Sequence, residues 1–455
     1  MHPLWILGIS IAVVLFLIIK LKINAFLALI TAAMTVGVLA AIPPGKLPLE
    51  NVMGEVTKAF GNACGSIGIV IALAAVIGQC MMESGAADKI TRRFVALLGD
   101  KNASLSMLTS GYVLAIPVFF DTVFYLLVPL ARSLRVRTGK NYLLYVMAIC
   151  AGGAVTHCMV PPTPGPLAVA AGLHIDLGLF ILVGMVIGVP MAFVGWMFST
   201  YMDAKMPIEL REVAGSSLDD LQAVAAKNES ELPGFTISIL PIALPVLLIS
   251  GNTLVGTFYK GSTAANVMAL LGNPNFALIL SGVIAMWTLA VRKQCSLKKL
   301  GESMEPAFGS AGLIILITAA GGAYGGMLKL TGVGDALGAM AERWGIGMLL
   351  FGFLLSALIK VAQGSSTVAM TTTAAIVFPM LAAKTLGYHP VYLGMSISSG
   401  ALVGSWMNDS GFWIYKQMSG LTEKEALKTW TPLLAILGVT GFVCSWIGSM
   451  VVPLK

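Results

Sequence analysis

Three ionisable side chains sit inside stretches that are otherwise apolar: Asp121 in IPVFFDTVFYLLVPLA (116–131), Lys360 in the run 348–363, and Asp409 in NDSGFWIYKQ (408–417). A charge at the centre of a membrane helix costs ~2.5–3.5 kcal/mol on insertion scales, so each one marks a function or a buried partner. Asp121 or Asp409 could hold a coupling proton. Lys360 could offset the charge of a bound molecule or neutralise a neighbouring carboxylate. His157 precedes four prolines and threonine in Pro161-Pro162-Thr163-Pro164-Gly165-Pro166. Its imidazole can exchange a proton near neutral pH, or it can be a hydrogen-bonded residue at a helix end. Around these groups, Thr122, Thr163, Ser365, Ser366, Thr367, Asn408 and Ser410, with the backbone at Gly364, offer donors and acceptors for a small polyhydroxylated molecule. Hydroxyls in membrane helices also bond to their own chain, so the signal is their clustering at four places.

The elements that carry these residues are membrane helices. Of the chain, 57% is apolar and only 11% charged, and runs at 4–19, 23–43, 66–82, 177–198, 237–257, 276–291 and 430–452 are long enough, or nearly so, to span a bilayer. A soluble domain of this size needs far more polar surface. The first run lacks a basic segment before it and a small-residue cleavage site after it, which makes it a span and not a removed signal peptide. The six cysteines show no CxxC spacing and read as small packing residues. The net charge of +7 clusters beside spans, as a topology signal and not a nucleic-acid footprint.

The sequence also repeats itself. Ala59-Phe60-Gly61 returns as Ala307-Phe308-Gly309, an offset of 248 residues, and each copy runs into a long apolar stretch. Thr122-Val123 answers Thr367-Val368, and Pro129 answers Pro379. Two loops, 132–140 and 292–299, carry four basic residues each, and the positive-inside rule places both in the cytoplasm. Their counterparts at 382–390 and 44–58 are nearly neutral, as two halves of opposite orientation would show. The expected organisation is a first half at 1–202, a polar cytoplasmic linker at 203–234 and a second half at 235–455, with both termini outside.

Some segments cannot be plain spans. The stretch 105–131 must leave and re-enter the cytoplasmic side, giving arms of about thirteen residues or ~20 Å, too short to cross. A re-entrant hairpin with its tip at Pro117–Thr122 is expected, and a counterpart over 347–381 with its tip at Gln363–Thr367. After each hairpin comes a broken helix, interrupted at 161–166 and at Asn408-Asp409-Ser410-Gly411. Exposed helix N-termini favour an anion and carbonyl ends favour a cation. GVGD (332–335) resembles an intramembrane aspartyl protease signature, but its repeat partner GAAD (85–88) makes Asp335 and Asp88 read as helix caps. Lys416 reads as a side chain reaching the cytoplasmic interface. Walker, HExxH and GxSxG patterns are missing from the sequence, which supports neither ATP-driven transport nor a familiar hydrolase.

The segments 116–131, THCMVPPTPGPLAVA (156–170), AAGGAYGGMLKLTGVGD (319–335), GSSTVAM (364–370) and 408–417 resemble the gluconate permease (GntP) family of bacterial symporters, and the resemblance covers nearly the whole chain. It implies proton-driven import of sugar acids or related hydroxy acids across the inner membrane by a multi-pass protein. It also implies a place in the ion transporter superfamily, with paired re-entrant hairpins, elevator-type movement and a homodimer, without metal or organic cofactor. One departure is visible: the family's break often reads PPHP, and Thr163 stands where the histidine would be, so this position has no proton to exchange. The expectation is therefore proton-coupled uptake of a small hydroxy acid, with the carboxylate against helix N-termini. The alternatives are sodium coupling in the same fold, a passive channel, or an intramembrane enzyme using Asp121 and Asp409 as a pair.

Overall fold

The computed structural model describes residues 2–42, 47–99, 102–211, 231–333, 336, 347–383, 386–407 and 409–454. The described residues are helical throughout, with no strand among them. The first half contains α1 (Pro3–Leu15), α2 (Ala25–Ala41), α3 (Val52–Glu83), α4 (Ala86–Leu98), α5 (Ala103–Leu114), α6 (Phe120–Thr138), α7 (Tyr142–Met159), α8 (Pro164–Gly172) and α9 (Leu177–Lys205). The second contains α10 (Phe235–Phe258), α11 (Thr263–Leu271), α12 (Pro274–Lys293), α13 (Leu297–Leu330), α14 (Met348–Gln363), α15 (Ser366–Ala383), α16 (Pro390–Gly400), α17 (Ser410–Met418) and α18 (Glu423–Val451).

Seven helical stretches are long and apolar enough to cross a membrane. Five of them contain runs evident from apolar length alone. The other two, Tyr142–Gly172 and Lys298–Leu330, escape that count because polar residues and prolines interrupt them. Conversely, α1 and α2 have 13 and 17 residues, below the length that α3 and α9 reach, and α1 continues only as a π-helical turn, Phe16–Lys20. The stretch 132–140, expected as a basic loop, is mostly the end of α6: the helix runs to Thr138 and stops at Gly139, whose φ of 70° only glycine adopts freely. Arg132 on that helix is buried and donates to the Arg211 carbonyl at 2.7 Å. It is a structural residue as well as a topological charge.

One pattern of helix pairing occurs twice along the chain. In the first, α5 lies on α7 and α7 on α9; in the second, α14 lies on α16 and α16 on α18. Close approach depends on glycine where helices meet. On α13, Gly321 and Gly325 face Thr371 and Ala375 of α15, while Gly322 and Gly326 face Ala63 and Ala59 of α3. A methyl group at any of these four would come within 3 Å of its neighbour. On α9, a methyl at Gly184 would meet the Met159 carbonyl, and one at Gly188 the Tyr112 hydroxyl, again within 3 Å. Asp88 lies in the first turn of α4, whose N-cap is Gly85; Asp335 falls outside the described residues. Lys416 lies over the Trp413 ring at 5.7 Å and 3.9 Å from Glu423.

Candidate functional site

Two helix–turn–helix units and two helix interruptions place the candidate residues. The first unit is α5–α6, turning through 115–119; the second is α14–α15, turning at Gly364 and Ser365. Gly364 has φ 91°, and the α14 carbonyl end closes there through Gly364 N–H donating to the Lys360 carbonyl. The first interruption, 160–163, is short and proline-rich, with Pro164 opening α8, where a missing N–H costs nothing. The second, 401–409, is longer and uses Gly404 at φ 80°.

These four points surround one cavity of about 660 Å³. Its wall includes the first residues of α6 (Phe120, Asp121, Thr122), α8 (Pro164), α15 (Ser366, Thr367) and α17 (Ser410, Gly411). Four helix N-termini thus meet at one space. The N-termini of α6, α15 and α17 present first-turn N–H groups without intrahelical partners and the positive end of a peptide dipole array, while α8 contributes chiefly its dipole, because Pro164 and Pro166 carry no N–H. The arrangement suits an anion.

The side chains divide into engaged and available groups. Asp409 accepts from Gly411 N–H at 2.9 Å through Oδ1, while its Oδ2 meets Lys360 Nζ at 2.6 Å and the Ser405 hydroxyl. Lys360 is 1% exposed and also donates to the Gly364 carbonyl. The structure thus places Lys360 in an ion pair behind the cavity wall, not in the wall itself. Asp121 lines the cavity and makes no side-chain hydrogen bond among the described residues. His157, in the last turn of α7, lines it too, with a buried Nδ1 that lacks a partner among the described residues. Ser366 donates to the Ala401 carbonyl at 2.9 Å, tying α15 to the second interruption. Ser365 accepts from Val368 N–H at 3.3 Å, capping α15.

Thr163 does not take the place expected of it. Its hydroxyl donates to the Val160 carbonyl at 2.7 Å, the residue is buried, and it stays out of the cavity wall. The interruption frees a carbonyl that this hydroxyl satisfies. Asn408 lies outside the described residues. Sequence reasoning missed Ser405, Trp430 and Cys158. Trp430 lines the cavity and donates from Nε1 to Ser405 at 2.8 Å, and its ring lies 5.4 Å from that of Phe120. The four-residue spacing of Ser405 and Asp409 was the available signal for the first of these.

A second cavity, about 610 Å³, lies among α3, α8, α13 and α15, walled mainly by small residues with His174 and Asn273 at its edge.

Comparison with known proteins agrees with this architecture. A permease of Haemophilus influenzae described as uncharacterized is 34% identical over 96% of this chain and 91% of its own. The low-affinity gluconate transporter of Escherichia coli K12 is 31% identical over 96% of both chains. Among solved structures, the Alcanivorax borkumensis YdaH transporter superposes with a TM-score of 0.65 over 95% of this chain and 98% of its own, at 15% identity. The Neisseria gonorrhoeae MtrF pump gives the same score at 13% identity. At these identities the likeness to the solved structures is one of fold. The model of the GntP permease family matches residues 2–451, so the chain belongs to the GntP family of permeases and is a multi-pass membrane transporter, not an enzyme.

Proposed function

We propose that this permease takes up gluconate or a related small hydroxy acid across the bacterial inner membrane by proton symport. The observation that carries the reading is the meeting of four helix N-termini at one cavity of about 660 Å³. A carboxylate placed there replaces water on several unpaired N–H groups at once, without needing a free cation. Thr122, Thr367 and Ser410, with the backbone around Gly364 and the hydroxyls of Ser365 and Ser366, are the groups for the substrate's hydroxyls. Relatives named as gluconate transporters, such as the Escherichia coli protein at 31% identity, support the substrate class.

Asp121 is the proton carrier in this reading. It faces the cavity and lacks a hydrogen-bond partner among the described residues, whereas both oxygens of Asp409 are engaged. His157 is the second titratable group on the wall. The two helix–turn–helix units act as re-entrant hairpins of an inverted repeat, 1–202 and 235–455 about the linker 203–234. Substrate binding closes their tips and releases a mobile unit for elevator-type movement within a homodimer.

The test is uptake of labelled gluconate into proteoliposomes with and without an inward proton gradient, competed by a panel of hydroxy acids. Accumulation above equilibrium is expected only with the gradient. Accumulation driven equally well by a sodium gradient at fixed pH overturns the choice of ion. Asp121→Asn should lower gradient-driven accumulation by about 100-fold, the size of effect lost with a positioned proton-transfer group. An Asp121→Asn protein in the membrane with full accumulation removes this residue from the mechanism.

A further inference from the structure

A continuous line of contacts joins the starts of α6, α17 and the α14–α15 turn. The Phe120 ring rests 5.4 Å from Trp430. Trp430 Nε1 donates to Ser405 at 2.8 Å, and Ser405 donates to Asp409. Asp409 pairs with Lys360 at 2.6 Å, and Lys360 donates to the Gly364 carbonyl. The line begins at one hairpin and ends at the turn of the other. Ser405, Trp430 and Lys360 are all buried, and Asp409, with 14% of its side chain exposed, is the member of the line that faces the cavity.

We propose that Lys360 is a positioning residue: through Asp409, Ser405 and Trp430 it sets the α14–α15 turn, the N-terminus of α17 and the N-terminus of α6 as one unit around the cavity. Lys360 acts on the turn in two ways. Its ammonium sits at the carbonyl end of α14, where a cation is favoured. It also fixes Asp409, whose other oxygen caps α17 through Gly411 N–H at 2.9 Å. The direction of the unpaired N–H groups of α15 and α17 toward a bound carboxylate therefore depends on a side chain that does not itself line the cavity.

The charges separate this role from direct substrate binding. A buried pair broken on one side leaves an uncompensated charge, whereas removing both charges is often tolerated. The inference rests on the transport reading for its kinetic arm. Lys360→Met and Asp409→Asn are each expected to raise the KM for gluconate by about tenfold or more, and the double variant to return within about threefold of the parent protein. Asparagine keeps the helix cap in that double variant. A double variant no better than Lys360→Met alone overturns the proposal, because Lys360 would then serve the substrate directly.

A second arm uses no substrate. Modification of Ser365→Cys by N-ethylmaleimide, read at that position by peptide mass spectrometry, should quicken by about tenfold in the Lys360→Met background and slow again when Asp409→Asn is added. An unchanged rate overturns the proposal. If either single variant fails to reach the membrane, the double variant decides: slow labelling with a near-parental KM supports the role, and fast labelling or a raised KM overturns it. Failure of the parent protein to take up gluconate would sink the transport reading alone, since the labelling arm still decides the role of Lys360.

Discussion

Between α7 and α8 the chain interrupts its helix with Pro161, Pro162 and Pro164, and Thr163 turns its hydroxyl back to Val160 within the same interruption. Between α16 and α17 it uses Gly404, Ser405 and Asp409, and several of its polar groups reach other elements: Ser405 to Trp430, Asp409 to Lys360, the Ala401 carbonyl to Ser366 and the Trp406 indole to the Val361 carbonyl. Proline breaks a helix by removing a donor and by steric conflict, so the first interruption needs no outside partner. A glycine and serine interruption frees groups that must be satisfied elsewhere. The two breaks are thus held by different means. The first is self-contained, and the second exists only together with the hairpin beside it.

That contrast can be broken most decisively by charge. Asp409→Ala leaves Lys360 buried without its carboxylate and should cost about 3–5 kcal/mol of stability. Thr163→Ala removes one neutral hydrogen bond and should cost about 1 kcal/mol. Thermal unfolding of the two purified variants in the same detergent checks the difference, and equal losses would erase the distinction. Backbone strain sharpens it further. Gly404 has φ 80° and a methyl there would meet Val361 Cγ2 at 2.1 Å, so Gly404→Ala should cost about 1–3 kcal/mol. Gly165 is the second residue of the helix after the first break, and a methyl there meets chiefly the flexible end of Met370. Gly165→Ala should therefore lie near neutral by the same measurement, since helix propensity gains up to about 1 kcal/mol where the side chain yields. Ser405→Ala is expected to lower stability by about 1 kcal/mol, as much as Thr163→Ala, while leaving Trp430 Nε1 without its acceptor. A blue-shifted or unchanged Trp430 fluorescence, read against a Trp430→Phe control, would show that this bond does not hold the ring.

Much of the helical layout was legible because a bilayer permits few alternatives: apolar runs of sufficient length must be helices. The turns at Gly364 and around Pro117 were legible from short arms between charged ends, and the first break from its prolines; the second, expected at 408–411, runs over 401–409, and Ser410 and Gly411 already belong to α17. The spans at Tyr142–Gly172 and Lys298–Leu330 were not, because their breaks and terminal charges dilute the apolar signal that length counting needs. Arg132 misled for a related reason: a basic residue marks a cytoplasmic boundary, yet nothing in its neighbours says that the helix continues past it to meet Arg211. Within the site, residue type pointed to Asp121, Asp409 and Lys360 together, but which two would pair is a matter of three-dimensional reach. The same limit applies to Thr163, whose type suits a ligand and whose position makes it a partner of Val160.

The glycine faces of α13 have a mechanical consequence. Helices that lock together do so with knobs in holes, and each knob is an obstacle to translation. Gly321 and Gly325 present bare backbone to Thr371 and Ala375, and Gly322 and Gly326 present it to Ala63 and Ala59. The four-residue spacing repeats the notch about every 6 Å along the helix, and the side chains of Thr371, Ala375, Ala63 and Ala59 sit in the notches. α13 is thus toothed on two faces, and a neighbour can move along it only by lifting out of contact or by jumping a whole repeat. The register of α15 along α13 is held also at its ends: by Lys360 at the α14–α15 turn, and at the other by Phe378 beneath Lys329, 4.9 Å away, and beside His174.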